Sequence, residues 1–156
     1  LRRRTDVPIA ADEAIRRAED PLVAARSLRP MEAADIAIIK CAPLGGVRAS
    51  LRIAEATGLP CVVSSALETS IGIAAQLALA GALPELDHAC GLGTVRLLRG
   101  DLVSSAESLV PCEGHLKVLA VAPSPDPGLL ERYSLRDPAR HEWWTERFGR
   151  VCRMIS

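Results

Sequence analysis

The chain has 156 residues, room for one ordinary domain of about 100–200 residues, and its 19 basic and 19 acidic side chains leave no net charge. That balance offers no basic face to nucleic acid and no acidic tail, and with aromatics at 3% there is no stacking platform for bases. Hydrophobic residues make up 49%, so the core must be built from Ala, Leu, Val and Ile, a composition that suits helices layered on strands.

Leu1-Arg2-Arg3-Arg4 has the look of a helix end, its arginines placed near a negative dipole terminus, and the chain is expected to be a piece of a longer protein. Residues 7–11 (VPIAA) form a short apolar strand that ends on Asp12-Glu13, with Pro8 tolerated near its start. Asp20 is an N-cap with Pro21 at the first helical position, and Leu22, Ala25, Arg26 and Leu28 follow at helical spacing. Next comes AADIAIIKCAPLGG. Asp35 aside, residues 34–39 are all apolar, which predicts a strand buried on both faces, as in parallel sheets. Lys40 stands where that strand leaves the sheet, and a half-buried ammonium there needs a partner.

Gly45-Gly46 opens VRASLRIAEATG, a helix with Val47, Leu51 and Ala54 on one face and Gly58 as C-cap. Residues 60–63 are the next strand, ending on Ser64-Ser65, and residues 69–82 a helix apolar nearly all round. The longest apolar run, 71–84, is interrupted by Gln76 and falls short of the ~20 residues that span a bilayer. No signal peptide is visible, so a cytoplasmic protein without a membrane partner is expected. A fourth short strand, 87–90, ends on Gly91-Leu92-Gly93-Thr94. Strands alternating with helices over short loops predict an α/β fold with a parallel sheet. Beyond about Leu98 the rhythm breaks: residues 110–121 suggest a hairpin turning at Glu113-Gly114, then a Pro-rich link, APSPDPG, leads to an amphipathic segment with Trp143-Trp144. Residues 1–98 and 99–156 are therefore expected to be separate parts. The five cysteines form no CxxC pair and fit buried thiols in a reducing compartment better than a metal site.

Sites in parallel α/β folds form at the carboxyl ends of the strands. Here those ends carry Asp12-Glu13, Lys40, Ser64-Ser65 and the Gly91–Thr94 loop, so an acid, a base, two hydroxyls and a glycine-rich loop face one mouth. Each has a plainer reading: Asp12 as a cap, Glu13 as a surface partner of Arg16 or Arg17, Lys40 snorkelling, the serines capping the next helix, the glycines serving a turn. Their joint occurrence favours a pocket. A carboxylate can hold a divalent cation, a lysine beside that cation is prepared for proton transfer, and amides and hydroxyls can hold a substrate carboxylate.

The segments DVPIAADEA, ADIAIIKCAPLGG, PCVVSSALETSIGIAAQLALAGALPEL and HACGLGT resemble, in order, the carboxyl half of the o-succinylbenzoate synthase family of actinobacterial type, within the enolase superfamily. The resemblance implies the carboxyl-terminal half of a modified TIM (β/α) barrel, about strands 5 to 8, with a C-terminal extension that packs on a separate capping domain. It implies dehydration of a succinyl-cyclohexadiene carboxylate through an enediolate with Mg²⁺, in menaquinone biosynthesis. By resemblance Asp12 is a metal-binding carboxylate, and Lys40 is a catalytic lysine facing the substrate. Ser64, Ser65, Gly91 and Gly93 contact the succinyl carboxylate, and Glu13 orients Asp12 or Lys40. The family usually reads Asp-Glu-Ser where this chain has Asp12-Glu13-Ala14. Its KxK lysines and first two metal carboxylates have no counterpart here, so the chain is expected to need the missing N-terminal half and to be inactive alone, with open sheet edges. Alternatives are an N-acylamino acid racemase or a muconate cycloisomerase of the same superfamily, or a non-catalytic barrel remnant.

Overall fold

Three short strands pair side by side and parallel in the order β1 (Ala10–Ala11), β2 (Ile36–Ile39) and β3 (Cys61–Val63). The computed structural model describes residues 2–154. Between and after the strands run α1 (Glu13–Arg16), α2 (Pro21–Leu28), α3 (Val47–Thr57) and α4 (Ser70–Ala82), and α5 (Pro127–Tyr133) and α6 (Pro138–Met154) close the chain.

The helix signals work as the sequence suggests. Asp20 Oδ1 accepts the Leu22 and Val23 amides at 2.8 and 3.1 Å, capping α2 ahead of Pro21. Gly58 ends α3 in the left-handed conformation, at φ 58°. Gly45 and Gly46, at φ 86° and 97°, turn the chain from β2 into α3, and the Gly46 amide closes that turn by donating to the Cys41 carbonyl at 2.9 Å.

Ala37 and Ile39 point one way, with Val63 beside them by register, and meet Ala25 and Leu28 of α2, Ile53 and Ala54 of α3, and Leu79 and Ala80 of α4. Ile39, Val63, Ile73 and Leu79 are wholly buried, each contributing about 1.5–3 kcal/mol. The opposite face differs from expectation. Ile36, Ile38 and Val62 are half-buried, so β2 is dry on the helix side alone, because all the packed helices lie on that side.

Other differences are local. The strand expected over 7–11 shrinks to two residues. Its entry is pinned instead by Asp35, whose carboxylate accepts the Ile9 amide at 2.9 Å and the Arg2 Nε at 2.7 Å. Those two donors, the amide first, hold the Asp35 carboxyl below its ordinary range. Arg2–Arg4 form a 3-10 turn rather than an α-helical end, while Leu1 lies outside the described residues. No strand forms over 87–90. Residues 86–89, rich in strand-disfavouring polar groups, are exposed, and a bridge at Gly91 is what remains, with its amide donating to Val63 O at 2.9 Å. The hairpin over 110–121 reduces to the Cys112–His115 pair, closed by Glu113 and Gly114 at φ 48° and 78°. Among the cysteines Cys41 is buried, whereas Cys112 is exposed.

Residues 98–126 form a strap that buries Val103 and Leu109 and is pinned to α4 through Asp101. Asp101 Oδ1 accepts the Ser70 amide at 2.9 Å, its Oδ2 accepts the Ser70 hydroxyl, and the Leu109 amide donates to Ser70 Oγ at 2.8 Å. Asp101 thus caps α4 from 31 positions away. Burial pushes its carboxyl upward, but the hydrogen bonds from Ser70, Leu102 and Ser108 outweigh that and hold it below the usual range. α6 buries no residue, and Trp143, Trp144 and Phe148 are exposed on it.

Candidate active site

β1 ends at Asp12 and β2 at Lys40. Side chains alternate along a strand, so Lys40 shares the open face with Ile36 and Ile38, and Asp12 shares it with Ala10, which pairs with Ile36. The two meet: Lys40 Nζ lies 2.7 Å from Asp12 Oδ2, with the side chains 14% and 22% exposed. The other carboxylate oxygen, Oδ1, accepts Arg16 Nε at 2.8 Å, and Arg16 also bonds Glu13. Lys40 therefore does not snorkel. Asp12 stands at the N-cap position of α1, yet its side chain makes no cap hydrogen bond. Glu13 reaches Asp12 through Arg16, and the structure records no direct contact with Lys40.

Ser64 sits next in register to Lys40, since Ile39 pairs with Val63, and its hydroxyl donates to Gly91 O at 3.3 Å. Ser65 faces the helix side and is buried. It donates to Gly91 O at 3.0 Å, with its hydroxyl 2.8 Å from Thr94 Oγ1. Neither serine caps α4, whose N-cap position is Thr69. Gly91 permits a close approach: a Cβ there would fall 2.9 Å from Ser64 Oγ and turn that hydroxyl away. Gly93, at φ −90° with nothing nearer than Pro111 Cγ at 3.7 Å, has no such constraint. The structure thus brings Asp12, Lys40, Ser64 and Gly91 to adjacent strand ends and places Ser65 beneath them.

Three residues escaped the sequence reading. Arg16 fixes Asp12. Gln76, wholly buried in α4, accepts the Cys41 amide at 3.0 Å, and Glu68 receives Gln76 Nε2 on both oxygens at 3.1 Å. The polar interruption at Gln76 was the available signal for the last two. As a cation site the arrangement is closed: both Asp12 oxygens already face cations, and among the described residues no group of three or more His, Cys, Asp or Glu side chains could hold a metal ion. Among those residues, too, no helix is long and apolar enough to cross a membrane.

Comparison with known proteins identifies the family. An o-succinylbenzoate synthase of Mycobacterium bovis (strain BCG / Pasteur 1173P2) is 53% identical over 147 residues, covering 94% of this chain and 42% of that protein. One of Thermobifida fusca (strain YX) is 60% identical over 121 residues, 78% of this chain and 36% of the relative. The chain thus spans less than half the length of these relatives. Among solved structures, muconate lactonizing enzyme from Pseudomonas putida superposes with a TM-score of 0.73 at 32% identity, over 85% of this chain and 37% of that one. The parallel sheet is accordingly part of an α/β barrel. The match to the enolase C-terminal domain-like family runs over residues 1–130, through every strand and the strap, and the chain belongs to that family.

Proposed function

We propose that this chain is the carboxyl-terminal part of an o-succinylbenzoate synthase, a hydro-lyase that dehydrates a succinyl-cyclohexadiene carboxylate in menaquinone biosynthesis. The observation that carries the reading is the Lys40–Asp12 pair, held at adjacent strand mouths in a chain 53–60% identical to proteins of that name. Residues 1–98 supply the half-barrel and residues 99–156 an appended segment that packs on the capping domain.

Lys40 projects from β2 onto the open face, where its ammonium is suited to stabilise negative charge developing on a substrate carboxylate. One such donor in a water-poor site is worth about 10²–10³ in rate. Ser64 and the Gly91 loop lie beside it, in position to hold the second, succinyl carboxylate, with Ser65 and Gly93 shaping that loop. Members of the superfamily generally use a divalent metal, Mg²⁺, and Asp12 is the ligand this chain would offer. The residues present do not fit the ion by themselves, since Lys40 and Arg16 take both Asp12 oxygens. The site therefore requires the N-terminal half of the barrel as a partner, and the complete protein is cytoplasmic.

The test is a chimera joining this chain to the upstream part of the Thermobifida fusca relative. It should dehydrate the cyclohexadiene acid, Lys40→Ala should slow that reaction about 10²–10³-fold, and the chain alone should not turn over. Enzyme-like turnover by the chain alone would sink the proposal. So would a folded chimera that prefers racemising N-acyl amino acids or cycloisomerising muconate, the second reading favoured by the structural likeness to muconate lactonizing enzyme.

A further inference from the structure

α4 carries one amide in the middle of an apolar helix. Gln76 is wholly buried, a position at which an unpaired amide would be costly, and every polar atom of it is used. Its Oε1 accepts the Cys41 amide at 3.0 Å and its Nε2 donates to both Glu68 oxygens at 3.1 Å. Turned the other way, the amide would set its oxygen against a carboxylate and its NH₂ against an N–H, so one orientation alone satisfies the site.

The bonds continue on both sides. Cys41 follows Lys40 directly. Its N–H is held by Gln76 and its carbonyl by the Gly46 amide, so the backbone leaving Lys40 is fixed at both polar groups. On the other side, the Glu68 amide donates to Thr94 Oγ1 at 3.4 Å, Thr94 Oγ1 meets Ser65 Oγ at 2.8 Å, and Ser65 donates to Gly91 O. Cys41, Ser65 and Gln76 are buried on the helix side, while Lys40 and Ser64 face the open side. One hydrogen-bonded chain thus runs beneath the mouth from the Lys40 exit to the Gly91 loop, and Gln76 is its central link.

We infer that Gln76 is a positioning residue: through the Cys41 amide and Glu68 it sets Lys40 relative to the Ser64–Gly91 edge, and it touches no substrate itself. This rests on the reading of Lys40 as the substrate-facing group, but the test uses no turnover, so the two can fail separately.

The test compares Gln76→Glu with the exchanged pair Glu68→Gln/Gln76→Glu in this chain by NMR. Amide hydrogen exchange is read at Cys41 and, as reference, at Ile53 in α3, together with the side-chain ammonium signal of Lys40. Gln76→Glu sets two carboxylates face to face, and their repulsion pushes the side chain at 76 away from Glu68 and off the Cys41 amide. Cys41 exchange should rise about tenfold, the scale of one net hydrogen bond, with Ile53 unchanged. The Lys40 signal should move toward its position in Asp12→Asn. In the exchanged pair the carboxylate now at position 76 accepts both the Cys41 amide and the side-chain amide now at position 68, and both readouts should return close to the parent values. The inference is overturned if the single and exchanged variants behave alike, if Cys41 and Ile53 accelerate together, or if the Lys40 signal does not move. Should Gln76→Glu fail to fold, Gln76→Met, similar in volume and uncharged, carries the test: Cys41 protection should fall selectively, and unchanged exchange overturns the inference.

Discussion

Lys40 and Asp12 form one ion pair, yet removing them should not cost the same. The pair is 2.7 Å long with side chains 14% and 22% exposed, between the surface regime of about 0.2–1 kcal/mol and the buried regime in which breaking a pair costs about 3–5 kcal/mol. Lys40→Met leaves Asp12 with Arg16 at 2.8 Å, so about 1 kcal/mol should be lost. Asp12→Ala leaves Lys40 without the carboxylate it pairs with and releases Arg16 to Glu13 alone, for about 2–3 kcal/mol. The double variant should cost little more than Asp12→Ala, giving a coupling of about 1 kcal/mol. Urea unfolding followed by circular dichroism, with a common slope, measures all three. Raising the salt should shrink the coupling only partly, because a half-buried pair is screened less than an exposed one. Equal costs for the two single variants, or simple additivity in the double, would refute the network drawn around Asp12.

The acid limb of stability should depend on Asp101 and Asp35. Both carboxyls are held below the unfolded value of about 3.9, so their stabilisation is full above that value and is lost as pH falls through the lower folded-state values. Melting curves from pH 7 to 2 should show Asp101→Asn less stable at neutral pH, with the gap to the parent closing in acid. Gly91→Ala should cost about 1 kcal/mol, the scale of the Ser64 hydrogen bond lost as its hydroxyl turns away, while Gly93→Ala should be nearly neutral by the same thermal assay. Alkylation followed by mass spectrometry should modify exposed Cys112 first and Cys41 and Cys61 last, since burial pushes those two thiols up.

Much of this frame is visible in the residue pattern because the packing is local and periodic. The Asp20-Pro21 start, the Gly58 stop and the apolar runs ending at Lys40 and Ser64 follow from rules that act within a few positions, and the structure keeps them. Those rules fail where distant partners decide. Asp101 lies 31 positions from the helix it caps, and nothing near it in sequence marks the role. Asp87 and His88 disfavour a fourth strand, whose pairing collapses to Gly91. Lys40 was legible because a cation at the end of an aliphatic run demands a partner. Fold direction brings Lys40 and Asp12 to one mouth, but the sequence points to a shared cation there rather than to their direct ion pair, and Arg16, one helical turn beyond Asp12, reads as an ordinary surface charge.

The alternation along β2 has an evolutionary consequence. Ala37 and Ile39 are committed to the helices, whereas Ile36, Ile38 and Lys40 stand on the open face and owe the helices nothing. Side chains that keep the scaffold together and those that would meet a reactant are thus separate sets, interleaved one by one along the same strand. The open-face set can be rewritten without repacking the other. A frame organised in this way can be handed from one chemistry to another by exchanging alternate letters.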